Sequence, residues 1–177
     1  MKITAVRHGE TIENIEKIVQ GQTYGTLSKT GERQIVELGE QLKDKQYDIV
    51  YSSDLERCKR TAAAIMQYHP DVQLVFDERL RERSLKPLEG IPFDELGWDH
   101  DAIHSLDLKT DEGESWNDVR ARIEPFLAEV KLRPEQSVLL VTHGGPMRIL
   151  EAVLGKLPLE ETIKIFHENC TVRTWEV

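Results

Sequence analysis

Residues 137–146 read Ser137-Val138-Leu139-Leu140-Val141-Thr142-His143-Gly144-Gly145-Pro146, and the fold turns on this stretch. Its apolar run has no polar alternation, the pattern of a central strand covered on both faces. Pro146 suits the first turn of a helix, where a missing N–H costs nothing. That helix should end at Gly155, a candidate left-handed cap. A doubly covered strand feeding straight into a helix predicts a βα unit of a largely parallel sheet.

The same unit recurs on the amino-terminal side. Lys2 to Val6 (KITAV) reads as the first strand. Ser28 caps a predicted helix over 29–43, whose inward stripe is Ile35, Leu38 and Leu42. Asp48 to Ser52 is a second strand, and Ser53 with Glu56 has the spacing of a capping box. The helix it opens carries Leu55, Cys58, Ala62 and Ile65 inward. Val72 to Phe76 is a third strand. Ser115 with Asp118 caps a helix bearing Val119, Ile123, Phe126 and Val130, with a kink or break expected at Pro125. Thr171 to Val177 supplies the last strand.

At 177 residues the chain is expected to form a single domain with one sizeable core. Hydrophobic residues make up 39% and charged residues 31%, which excludes a disordered or fibrous chain. The net charge of −9 argues against nucleic acid held by general phosphate attraction, so an anionic ligand needs a local positive pocket. Cys58 and Cys170 match no metal-binding spacing and read as reduced thiols. No signal-peptide core or membrane span is legible, so the expectation is a cytoplasmic protein without a membrane partner. Oligomeric state is not legible.

One stretch departs from the average. Residues 94–114 hold eight acids (Asp94, Glu95, Asp99, Asp101, Asp107, Asp111, Glu112, Glu114) against Lys109, or −7 of the −9. This predicts a polar lobe or lid at about 91–114, outside the sheet. It is either a solvated surface facing away from the site or a lid whose charge turns away multiply anionic substrates.

Arg7, His8 and Gly9 follow the first strand, and His143, Gly144 and Gly145 follow the strand at 137. Ligands of open parallel sheets bind outside the carboxyl ends of the strands, so both histidines are delivered to one crevice. Arg57, on the first turn after the second strand, and Glu82, after the third, reach the same edge. Two histidines, two arginines and a carboxylate suit a phosphoryl group: guanidinium forks match its oxygens and a neutral imidazole can attack phosphorus. Each fragment alone also reads as an ordinary strand-end histidine or surface charge. Their joint occurrence, each after a strand, favours chemistry.

These residues resemble the histidine phosphatase superfamily, also called phosphoglycerate mutase-like, in its RHG-motif branch. Arg7-His8-Gly9-Glu10-Thr11, Gln20-Gly21, Ser52-Ser53-Asp54-Leu55 with Arg57, Leu80-Arg81-Glu82, Gly113-Glu114-Ser115 and Thr142-His143-Gly144-Gly145 carry the resemblance in order along the whole chain. It implies a three-layer α/β/α sandwich with a mostly parallel sheet. It also implies that His8 becomes phosphohistidine, that Arg7, Arg57 and His143 bind the phosphoryl group, and that Glu82 is the proton donor. Asn14, Gln20, Gly21, Thr142 and Gly144 match substrate-binding positions. No metal or organic cofactor is implied, and the partner is a small phosphomonoester. The chain departs from the family after Arg-Glu, reading Arg83-Ser84-Leu85-Lys86-Pro87-Leu88 before Glu89-Gly90, which leaves Glu89 as reserve candidate for the acid.

The implied activity is phosphomonoester hydrolysis. The alternatives are mutase-type phosphoryl transfer, for which related chains are usually longer, and a non-catalytic phospholigand-binding or interaction module, which would need neither His8 nor Glu82.

Overall fold

The computed structural model describes residues 1–97 and 104–177. Its strands are β1 (Lys2–Arg7), β2 (Ile49–Ser52), β3 (Gln73–Phe76), β4 (Ser137–Thr142) and β5 (Val172–Glu176). They form one sheet in the order β3-β2-β4-β1-β5, parallel throughout except that β5 runs antiparallel on the edge beside β1. The apolar run at 138–141 is the central strand, as its sequence requires.

Side chains alternate across a strand, and here both faces are buried. Val138 and Leu140 of β4, with Ile3 and Ala5 of β1, pack against α4 (Trp116–Lys131), α5 (Gly144–Gly155) and the short α6 (Leu159–Thr162). Leu139 and Val141, with Val6 and Val50, pack against α2 (Lys29–Leu42) and α3 (Glu56–Met66), while the one-turn α1 (Ile12–Ile15) follows β1. This is the expected three-layer α/β/α sandwich. Leu139 and Leu140 are fully buried, each contributing about 2 kcal/mol of transfer free energy. Among the described residues no helix is long and apolar enough to cross a membrane.

Three local expectations are corrected. Ser53 does not cap α3; Leu55 holds that position without a side-chain bond, and the Ser53 hydroxyl instead accepts from Leu55 N–H and meets His143. Pro125 does not break α4, which is one element through Lys131. Pro125 and Ala121 both lie on its exposed face, so water can take the carbonyl bond the proline forfeits. The left-handed cap after α5 is Lys156, at φ 57°, with Gly155 still helical.

The sheet register is what builds the site. Arg7 pairs with Thr142 across β1 and β4, so the residues that follow, His8 and His143, stand side by side. Their ring centroids lie 5.1 Å apart.

Candidate active site

His8 is 2% exposed and its ring is fixed by one bond, Nδ1 to the Gly9 carbonyl at 2.7 Å. A carbonyl only accepts, so Nδ1 carries the hydrogen and Nε2 keeps its lone pair. Burial, then the charges of Arg57 and Arg7, hold this imidazole well below its ordinary pKa. The result is a neutral nucleophile with a defined tautomer, beside two guanidiniums.

Arg57 reaches the site from the first turn of α3 and is 1% exposed. Its Nη2 donates to Gly21 O at 2.8 Å, its Nη1 to Thr23 O at 2.7 Å, and its Nε to His143 Nδ1 at 3.2 Å. The loop at 20–24 is thereby drawn over the cavity. Because Nδ1 of His143 accepts, its Nε2 carries the hydrogen and donates to Ser53 Oγ at 2.8 Å. Cys58 lies under the same ring, its Sγ 3.3 Å from Nε2, with its thiol pushed up to about 12 by burial. Burial and then Arg57 keep His143 neutral as well.

Arg7 extends from the end of β1, bonds through Nη1 to the His167 carbonyl, and among the described residues has no partner for its buried Nε. Glu82 stands opposite, where both carboxylate oxygens accept from the Gly145 N–H, at 3.0 and 3.2 Å, and Oε1 also accepts from Arg83 N–H. Position 145 must be glycine for this approach, since a Cβ there would lie 2.1 Å from Glu82 Oε1. The reserve acid is differently employed. Oε1 of Glu89 accepts from Gln22 N–H and Leu85 N–H and packs beneath Gly21, bracing the loop from below.

These groups open into a cavity of about 360 Å³. Arg7, His8, Arg57 and Glu82 line it, as do Asn14, Gln20, Gly21 and Gly144 from the sequence reading. Asn14 Oδ1 accepts from Asn169 Nδ2, which also holds the His8 carbonyl. Thr142 is the misplaced residue: it is fully buried and its hydroxyl donates to Leu80 O, because the last residue of β4 turns its side chain into the sheet layer. His143 lies behind the cavity wall, reaching it through Arg57.

Arg148, Arg83, Trp116, Phe166 and His167 also line the cavity and were not singled out from the sequence. Arg148 had a readable signal. It lies three and four residues after Gly145 and Gly144, hence on their face of α5. Among the described residues the acidic segment does not line the cavity with acid: Asp94, Glu95, Asp111 and Glu112 are exposed, Asp107 accepts from Asn117, and Glu114 pairs with Arg122. Asp99 and Asp101, and part of the expected lid, lie outside the described residues. The described lining carries four guanidiniums against the single carboxylate of Glu82, a local positive pocket in a chain of net −9. No group of three or more His, Cys, Asp or Glu is placed to hold a metal ion among the described residues.

The two neutral histidines set a pH dependence of stability. Their folded-state pKa values are depressed below 6.5, so between those values and 6.5 the unfolded chain binds more protons than the native one. Stability is then full above pH 6.5 and is lost as pH falls through the window below it, by roughly 1.4 kcal/mol per unit for each histidine. Urea titrations from pH 7 to 5 should show this loss, and a His143→Gln variant should show a shallower slope. Equal slopes would mean that folding leaves the titration of His143 unchanged.

The sequence model described as histidine phosphatase superfamily (branch 1) matches residues 3–177. The chain is 33% identical over 179 residues to the probable phosphoglycerate mutase GpmB of Salmonella arizonae, covering 97% of this chain and 83% of that protein. Among solved structures it is similar to a mycobacterial glucosyl-3-phosphoglycerate phosphatase complexed with VO3, with 30% identity, a TM-score of 0.88, and 98% and 91% of the two chains covered. A phosphoserine phosphatase from Entamoeba histolytica in complex with 3-phosphoglyceric acid matches at 26% identity and a TM-score of 0.80, covering 98% and 89%.

Proposed function

The chain belongs to the histidine phosphatase superfamily and is a phosphoric monoester hydrolase, and we propose that it works through a phosphohistidine on His8 and takes a small phosphomonoester. The observation that carries this reading is the free Nε2 of His8, its tautomer locked by Gly9 O, beside Arg7 and Arg57.

In the first step the Nε2 lone pair attacks phosphorus. The P–O ester bond breaks, its electron pair stays on the leaving oxygen, and Glu82 gives that oxygen a proton. Arg7 and Arg57 hold the equatorial oxygens, and the Gly9 carbonyl accepts the Nδ1–H of the positively charged phosphoimidazole. In the second step water attacks phosphorus, its proton goes to Glu82, and the N–P electron pair returns to Nε2. Catalysis is mainly positioning and charge neutralisation.

A mutase reading shares the first step and is favoured by the likeness to GpmB. The two separate in the second: a hydrolase releases inorganic phosphate, a mutase returns the phosphoryl group to an alcohol. The test is a panel of phosphomonoesters with released phosphate and transferred phosphate both quantified. Stoichiometric phosphate release is expected; transfer to a second hydroxyl as the main product would overturn the hydrolase reading.

A further inference from the structure

The cavity that Glu82 lines also holds cations that the phosphoryl step does not use. Arg148, on the Gly144 and Gly145 face of α5, spends its Nε on Ile165 O at 2.7 Å. Glu82 is the carboxylate whose charge acts on it, and burial pulls its guanidinium below the usual value. Arg83, across the Trp116 ring system, is 5% exposed and holds the carbonyls of Glu114 and Leu108. The two guanidiniums lie 5.3 and 4.8 Å from the Trp116 ring centroid.

His167 lines the same cavity. It is 2% exposed, and neither ring nitrogen has a hydrogen-bond partner among the described residues. Burial and the charges of Arg173, Arg148 and Arg7 press it to about 4, so the ring is neutral and offers one N–H. Buried polar groups are normally satisfied, and Arg148, half-buried, forms no ion pair among the described residues, which leaves its charge poorly compensated. One occupant resolves both deficits: an anion.

We propose that Arg148 and His167, backed by the field of Arg83, form a subsite for a second anionic group, a carboxylate or a phosphate, carried by the leaving part of the substrate. This rests on the phosphatase reading above. Arg7, Glu82, Arg83 and Arg148 line one cavity, so the leaving group that Glu82 protonates shares that cavity with the subsite. The Arg7 bond to the His167 carbonyl ties the two halves together. The substrate class is therefore a small acidic phosphomonoester, the opposite of what a cavity walled by the acidic segment would select.

The test compares kcat/KM for ethyl phosphate, phosphoglycolate and ethane-1,2-diyl bisphosphate. In the wild type at least one acid-bearing ester should exceed ethyl phosphate by about tenfold to a hundredfold, the range of one charge-assisted hydrogen-bonded contact. Which of the two gains identifies the anion. Arg148→Met, which keeps the stem over Trp116, should erase most of that ratio, and Arg148→Lys should restore part of it. Turnover of ethyl phosphate that disappears in His8→Ala, with no advantage for either acid, overturns the subsite and leaves the phosphatase reading standing. An advantage unchanged in Arg148→Met overturns it too. Absence of His8-dependent turnover on all three esters overturns both readings. Should Arg148→Met fail to fold, the wild-type ratios and Arg148→Lys decide.

Discussion

His8→Ala should lose turnover by about ten-thousandfold or more, the scale on which removal of a covalent nucleophile is felt. The wild type, quenched in acid or base during turnover of a labelled phosphomonoester, should carry phosphate that is labile in acid and stable in base. The variant should carry none. The fold should survive, because His8 contributes one side-chain bond, to Gly9 O, and the backbone N–H of residue 8 still donates to Thr142 O. Loss of a buried side chain and one hydrogen bond costs about 1–3 kcal/mol, a fraction of the stability of a typical chain of this size. Binding of inorganic phosphate should persist, since Arg7 and Arg57 are untouched. A variant that still accumulates the same phosphoenzyme would place the nucleophile elsewhere.

The architecture was legible because its signals are periodic and redundant. The run at 138–141 could only be a doubly covered strand, and the Arg7-His8 and Thr142-His143 motifs each followed a strand of a parallel sheet. What the sequence could not show was the register that pairs Arg7 with Thr142 and brings the two rings to 5.1 Å. Glu82 and Glu89 were rivals on spacing alone. They separate in three dimensions, one on the Gly145 N–H in the cavity and one under Gly21.

The misses share a physical cause, namely that a local signal was outbid by a tertiary partner. Ser53 has the spacing of a cap, yet its hydroxyl is taken by His143, so α3 starts uncapped. Pro125 has the signature of a break, but lies where water can replace the lost bond. His167 carries no sequence signal at all, because nothing local shows that both of its buried ring nitrogens go unpartnered among the described residues. Between the two readings of the acids of 94–114, the sequence alone could not choose, because it does not say that Glu114 turns to Arg122 and Asp107 to Asn117.

Glu82→Gln should separate chemistry from position. Glutamine keeps an oxygen able to accept from the Gly145 and Arg83 N–H groups, so the side chain can stay where the glutamate was, but it cannot pass a proton. An alkyl phosphate needs that proton because its leaving alkoxide is strongly basic; an aryl phosphate with an acidic phenol does not. In single-turnover phosphorylation the variant should be slowed by about a hundredfold to ten-thousandfold on ethyl phosphate and only slightly on the aryl ester. Steady-state rates cannot make this distinction, since the second step also needs Glu82, as base towards water, whatever the leaving group was. Glu89→Gln supplies the contrast. Its Oε1 accepts from the N–H groups of Gln22 and Leu85, bonds that a glutamine oxygen can keep, so this variant should slow both esters little and by similar factors. Equal losses on both esters in Glu82→Gln, or a leaving-group dependence in Glu89→Gln, would move the proton donor from position 82.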